Sequence, residues 1–102
     1  MAKLIVMYKK PADTAAFDRY YRDTHIALAK KIPGLRSYEI SRGPVVALDG
    51  NSPYHLIAVL TFDSAAAIEK GLASEDGKAA AGDLGRFAQA GVDLYIIETQ
   101  PA

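Results

Sequence analysis

The sequence predicts a single α+β domain over residues 1–102, with strands and helices in the order βαββαβ. Its 102 residues suit one domain and leave no room for two. Half of the residues are hydrophobic, which is enough to form a core and argues against disorder. Short apolar runs rich in strand formers alternate with segments of helical spacing, and this alternation sets the order of the elements.

The first half of the chain predicts a strand, a long helix and a second strand. Residues 4–8 are strand formers and end before a Lys-Lys-Pro breaker. Residues 14 to about 31 have helical spacing, with Asp13 as the N-cap and Pro33-Gly34 as the stop. Residues 35–42 then form strand two. The line of apolar positions predicted along this helix consists of Phe17, Tyr21, Thr24 and Leu28.

The second half predicts a strand, an interrupted helix and a final strand. Residues 54–62 form the clearest strand in the chain. Asp63 or Ser64 caps a helix over residues 65–73, residues 74–77 interrupt it, and it resumes over residues 78–90. Gly91 ends the helix, and residues 92–98 form strand four. Four strands with helices on one face make a ferredoxin-like fold with an antiparallel sheet.

The strands are apolar on both faces, which predicts that the sheet needs a partner. In strand three, Leu56, Ala58 and Leu60 alternate with Ile57 and Val59. The predicted helices can cover only one face, so the other must meet an apolar surface. A second copy of the chain is the simplest choice, giving a homodimer through the sheet face. The alternative is a sheet with exposed apolar strands.

Composition excludes several classes of site. Twelve basic residues balance twelve acidic ones, so no net charge draws the chain to nucleic acid or to a membrane surface. No cysteine is present, which excludes disulfides, thiolate metal sites and a cysteine nucleophile. The apolar run at the N-terminus is too short for a signal peptide or a membrane span. We therefore expect a cytoplasmic protein with no metal site and no cofactor.

Candidate site residues cluster on the predicted first helix. His25 lies at the edge of its apolar stripe, where an imidazole suits general acid or base chemistry near neutral pH. Tyr20 and Tyr21 adjoin it and are candidate substrate-binding residues. The alternatives are a boundary histidine bonded to backbone and ordinary core-edge tyrosines. The other histidine, His55, begins strand three, and we interpret it as a strand-end or interface residue.

Several segments carry a family resemblance that spans nearly the whole chain. They resemble the EthD-like family, named for ethyl tert-butyl ether degradation, which belongs to the dimeric α/β-barrel superfamily. One difference is Ala27, where the family often has Pro, so we expect helix one to continue past His25. The matching segments are residues 17–25 (FDRYYRDTH), 28–35 (LAKKIPGL), 60–64 (LTFDS), 74–77 (SEDG) and 83–87 (DLGRF).

The resemblance implies a dimer of ferredoxin-like protomers, each with a small apolar cavity between sheet and helices. His25 matches the family's helix-one histidine. Asp83 matches a recurrent acidic position, although we interpret it as a solvated helix charge. The resemblance leaves three functions open. They are a cofactor-independent oxidoreductase, decarboxylase or isomerase on a small aromatic or lactone-like substrate; a non-catalytic binding or accessory protein of a degradation pathway; and a haem protein with His25 as axial ligand.

Overall fold

A computed structural model describes residues 1–102 as a four-stranded antiparallel sheet with the helices on one face. This confirms the predicted α+β class and the order of the elements. The sheet order is β2-β3-β1-β4. The elements are β1 (Ala2–Lys9), α1 (Thr14–Tyr20), a π-helical turn (Tyr21–His25), α2 (Ile26–Ala29), β2 (Ser37–Ile40), β3 (Tyr54–Phe62), α3 (Ala65–Ala73), α4 (Glu75–Phe87) and β4 (Val92–Glu98).

The helix-facing side of the sheet forms the core. In β1 the alternate residues Leu4, Val6 and Tyr8 are buried, as a strand with one covered face requires. Directly opposite Tyr8 and Val6 on β3 lie Leu56 and Ala58, which are also buried. The core is therefore an apolar layer between the central strands and the helices.

The other side of the sheet has no helix on it. Ile5 pairs with Val59 on one side and with Tyr95 on the other, so these three residues share the open face. Tyr95 and Ile97 remain 55% and 45% exposed. The two-sided apolar character predicted from the sequence is thus present in the folded chain.

The junction between α3 and α4 is tighter than the sequence predicted. Only Ser74 separates the two helices, and its hydroxyl accepts a hydrogen bond from the Gly77 N–H at 3.0 Å as the N-cap of α4. A Cβ on Gly77 would lie 2.1 Å from the Gly71 carbonyl oxygen. Residue 77 must therefore be small for α4 to start where it does, and α4 carries a residue of the candidate site.

Other boundaries differ modestly from the predicted ones. Strand β2 is shorter than residues 35–42, and the first helical segment ends at Ala29. The stop at Gly34 is confirmed, with a φ of +86° that favours glycine. Asp13 caps α1 through the Ala16 N–H at 3.0 Å. Ser64 caps α3, which leaves Asp63 free to pair with Arg36.

Candidate functional site

The π-helical turn determines which side of helix one faces the core. In this turn the Ile26 N–H donates to the Tyr21 carbonyl, five residues back instead of four. The wider turn gives the buried residues a four-residue spacing. The predicted position of Thr24 in the apolar line is wrong, because Thr24 is exposed. The buried line is Phe17, Tyr21, His25 and Ala29.

His25 therefore points into the protein instead of lying at a boundary. Only 5% of its surface is exposed, and its Nδ1 lies 3.0 Å from Asp83 Oδ2. The other oxygen of that carboxylate, Oδ1, accepts a hydrogen bond from the Tyr20 hydroxyl at 2.6 Å. A carboxylate accepts and does not donate, so the neutral imidazole carries its proton on Nδ1. The interpretation of Asp83 as a solvated charge is wrong, since Asp83 is 6% exposed and holds His25.

The second imidazole nitrogen is left as a proton acceptor. His25 Nε2 lies 3.4 Å from the Tyr8 hydroxyl, a long contact in which the phenol donates. Burial lowers the pKa of His25 below its ordinary value of 6.5, and the opposing effect of the Asp83 hydrogen bond does not cancel it. The imidazole is thus neutral at pH 7, and its Nε2 is unprotonated and in contact only with the Tyr8 hydroxyl.

An apolar pocket lies beside this imidazole, between the sheet and the helices. Its volume is about 40 Å³, which is room for roughly three water molecules. Apart from His25 and three tyrosines, every residue of its lining is Ala, Val, Leu or Ile. Two of these, Ala81 on α4 and Leu94 on the edge strand β4, are also exposed to solvent, so the pocket reaches the surface beside them. No lysine or arginine lines it.

Three tyrosines provide the remaining polar atoms of the pocket. Tyr8 comes from β1, Tyr21 from the π-helical turn and Tyr38 from β2. The hydroxyls of Tyr21 and Tyr38 are hydrogen-bonded to each other. Burial raises the pKa of all three phenols above the ordinary value, so they remain protonated at neutral pH.

The structure brings the predicted residues together, but with different contacts. His25 and Tyr21 line the pocket, whereas Tyr20 does not and instead bonds Asp83 from the outer side. Sequence reasoning missed Tyr8, Tyr38 and Asp83 as site residues. The period-2 alternation of β1 places Tyr8 on the same face as Leu4 and Val6, so that pattern could have found Tyr8.

The second histidine lies elsewhere. His55 Nε2 contacts Asp18 Oδ1 at 2.8 Å, and the imidazole packs edge-on against Phe17. These contacts place His55 against α1, on the helix side of the sheet, and not with Ile57 and Val59. No three His, Cys, Asp or Glu side chains come together where a metal ion could bind. None of the helices has the length and hydropathy needed to cross a bilayer.

Comparisons with known proteins agree over most of the chain. Residues 9–91 match the family model described as the EthD domain. An uncharacterised 11.0 kDa protein encoded in the thcB-thcC intergenic region of Rhodococcus erythropolis is 35% identical over 101 residues, covering 98% of this chain and 96% of that protein.

One solved structure gives the same assignment, and a second shares the fold. An ethyl tert-butyl ether degradation (EthD) family protein from Bacillus halodurans superposes with a TM-score of 0.89 at 35% identity, covering 98% of this chain and 99% of that one. At 20% identity, a dimeric ferredoxin-like protein of unknown function from Jannaschia shares the fold, with a TM-score of 0.70 over 96% of this chain and 98% of that one. On the family match and these two 35% identities, the chain belongs to the EthD family, within the dimeric α/β-barrel superfamily.

Proposed function

We propose that this protein is a cofactor-independent acid–base enzyme acting on a small neutral molecule held in the pocket beside His25. One observation carries the proposal. The imidazole is fixed through Nδ1 by a buried carboxylate, while Nε2 faces an otherwise apolar cavity. A base that is buried, neutral and held in one orientation suits proton transfer at pH 7.

Each residue of the site has a separate role in the proposed proton transfer. His25 Nε2 removes a proton from the substrate and later returns it. Asp83 holds the ring and stabilises the imidazolium that forms, because the Nδ1–H hydrogen bond strengthens with positive charge. Tyr20 keeps Asp83 in place. Tyr21 contacts the substrate from the π-helical turn, and Tyr8 gives up its contact with Nε2 when substrate enters.

The pocket sets limits on the substrate. With no lysine or arginine in its lining, an anionic group would be buried without a countercharge. The substrate could be an aromatic or lactone-like molecule that undergoes oxidation or reduction, decarboxylation or isomerisation. A ring of this kind needs more volume than the 40 Å³ of the pocket as it stands. Such a ring enters only if the wall moves outward, and the wall residues that face solvent are Ala81 and Leu94.

A proton-exchange assay tests the proposed chemistry. The assay follows loss of the α-proton signals of 2-butanone in D2O by NMR. We expect exchange above the buffer rate with the wild-type protein, and a decrease on the order of a hundredfold with His25→Ala, as is typical for a lost acid or base. His55→Ala is the matched control, because His55 also pairs with an aspartate but lies away from the pocket.

Equal exchange by wild type and a folded His25→Ala variant would contradict the catalytic assignment. A binding or accessory role in a degradation pathway would then be favoured. One observation already supports this second candidate: the Tyr8 hydroxyl contacts Nε2, so that nitrogen has a partner within the protein and needs no substrate. A haem with His25 as axial ligand is not proposed, because a porphyrin does not fit a cavity of about 40 Å³.

We infer further that two copies associate through their open sheet faces. The face around Ile5, Val59 and Tyr95 is apolar and carries no helix. A protein of the same fold is described as dimeric, which supports a second copy as the partner.

A further inference from the structure

The open face of the sheet carries charged side chains among its apolar ones. Lys3 lies two residues before Ile5 on β1, which places both side chains on this face. Glu39 on β2 pairs directly with Val59 and lies on the same face. Asp93 on β4 lies there as well. If another surface covers this face, each of these charges needs a partner, because burying an unpaired charge is costly.

Within one copy of the chain, two of these three charges have no countercharge. The Lys3 ammonium donates to the Thr61 hydroxyl at 3.2 Å, which uses one of its protons but neutralises no charge. The Glu39 carboxylate is exposed and takes part in none of the ion pairs of the protein. Asp93, by contrast, accepts a hydrogen bond from the Tyr54 hydroxyl at 2.8 Å. Lys3 and Glu39 therefore remain without an ionic partner.

We propose that a second copy of the chain supplies these partners, so that Lys3 of each copy forms an ion pair with the partner's Glu39. A two-fold dimer makes every such contact twice, so this one pairing matches all four charges. The axis passes close to the midpoint of the two residues, which lies on β3 between Val59 and Thr61. Because β3 is an inner strand, an axis there lets the two open faces overlap over much of their area.

The charge pattern favours a second copy over an unrelated partner. A face with a cation and an anion on either side of its middle complements itself when it is rotated by two-fold symmetry. A purely apolar partner would bury the Lys3 ammonium with no countercharge. The exposed Lys9 at the end of β1 can instead stay in water. The inference rests on the face-to-face dimer of the proposed function and is independent of the chemistry at His25.

Charge reversal tests the pairing. Lys3→Glu places two carboxylates at each contact and Glu39→Lys places two ammonium groups there, so the dimer Kd of each variant should rise by about tenfold or more. In a mixture of the two variants, every contact again joins a carboxylate to an ammonium. With a tenfold penalty in each homodimer, heterodimers should make up about nine-tenths of the dimers. Sedimentation measures the Kd, and native mass spectrometry with one variant ¹⁵N-labelled measures the three dimer populations.

Two controls separate the contact from net charge and from folding. Glu69→Lys and Lys70→Glu, both exposed on α3, give the same net charges on the helix side. Their mixture should contain about half heterodimers, as random pairing gives. The double variant Lys3→Glu/Glu39→Lys reverses the pair and should recover the wild-type Kd within about threefold. Circular dichroism checks that each variant is folded.

The outcomes distinguish the ion pair from the dimer. Random pairing of Lys3→Glu with Glu39→Lys would overturn the ion pair, and so would a double variant that dimerises no better than the single variants. In either case, a wild-type dimer that Ile57→Lys dissociates would leave the face-to-face assembly standing. A wild-type protein that stays monomeric would overturn both the ion pair and the dimer of the proposed function, while the assignment of His25 would be unaffected.

Discussion

At the scale of single residues, the site depends on one buried imidazole with two different nitrogens. Nδ1 donates a hydrogen bond to Asp83, and Nε2 is contacted by the Tyr8 hydroxyl. The His55–Asp18 pair has a similar contact distance but lies partly in solvent, with side-chain exposures of 22% and 44%. The chain therefore contains its own control for the effect of burial on a histidine–aspartate pair.

We expect His25 to titrate below pH 6.5, because burial lowers its pKa. The unfolded chain then binds more protons than the folded protein as the pH falls. Stability should be highest above pH 6.5, decrease as the pH drops below it, and stop decreasing below the folded-state pKa. NMR titration of the His25 ring measures the pKa, and urea denaturation at several pH values measures the stability. A folded-state pKa at or above 6.5 would contradict this prediction.

The same titration tests the role of Asp83. Because the carboxylate raises the pKa of His25 against the effect of burial, Asp83→Asn should lower that pKa further. The amide offers only one oxygen to two donors, so the variant should also lose about 1–3 kcal/mol of stability. Asp18→Asn, beside His55, should leave the His25 titration unchanged. An unchanged or higher His25 pKa in Asp83→Asn would show that the carboxylate does not act as described.

At the scale of elements, the strands and helices could be predicted from the sequence, but the rotation of helix one could not. The alternating apolar residues between clear turn signals predict strand three at its observed bounds. A regular period of 3.6 residues places Thr24 in the core and His25 at its edge. The π-helical turn adds one residue to a single turn of the helix. The side chains that follow Tyr21 on this helix are therefore rotated about its axis relative to a regular α-helix. No residue type in this stretch specifies such a turn.

The residues around His25 could not be predicted from the sequence, for a related reason. Asp83 lies 58 residues from His25 along the chain, and its burial depends on how α4 packs over the π-helical turn. A charged residue on a helix is most often solvated, so local pattern favoured the wrong interpretation. Tyr38 lies on the short strand β2, where only four residues are available to show an alternation.

The packing of α4 leads to a stability prediction. Gly77→Ala should destabilise the protein by about 1–3 kcal/mol, because the added Cβ overlaps the Gly71 carbonyl and forces a backbone shift. Gly82→Ala, on the same helix with open space around it, should instead be neutral or stabilising by up to about 1 kcal/mol. Urea denaturation of both variants provides the comparison. Equal stability of the two would mean that α3 and α4 do not meet as closely as described.

At the scale of the whole molecule, the two faces of the sheet have different environments. The helix face encloses the core and the pocket, while the open face leaves apolar residues in contact with solvent. Strand β4 is apolar and exposed on both faces, with Leu94 and Ile96 on one and Tyr95 and Ile97 on the other. An exposed apolar surface of this kind usually marks an interface. A symmetric dimer would cover the open face of both copies at once.

Ile57→Lys tests this assembly directly. Ile57 lies opposite Met7 on the open face, so in a face-to-face dimer its side chain would be buried between the sheets. An ammonium group placed there without a partner is costly, and the variant should become monomeric or aggregate. Val59→Lys, opposite Ile5, should behave the same way. Light scattering coupled to size-exclusion chromatography measures the mass of each variant.

Ala66→Lys is the matched control, because Ala66 is exposed on α3 and the substitution adds the same charge on the helix side of the molecule. It should leave the assembly unchanged. Circular dichroism separates a folded monomer from an unfolded chain. Dimers of unchanged mass in both Ile57→Lys and Val59→Lys would mean that the copies meet through another surface. The exposed side of β4, where the pocket reaches the surface at Leu94, would then be the next candidate, and charge substitutions at Leu94 and Ile96 would be the corresponding test.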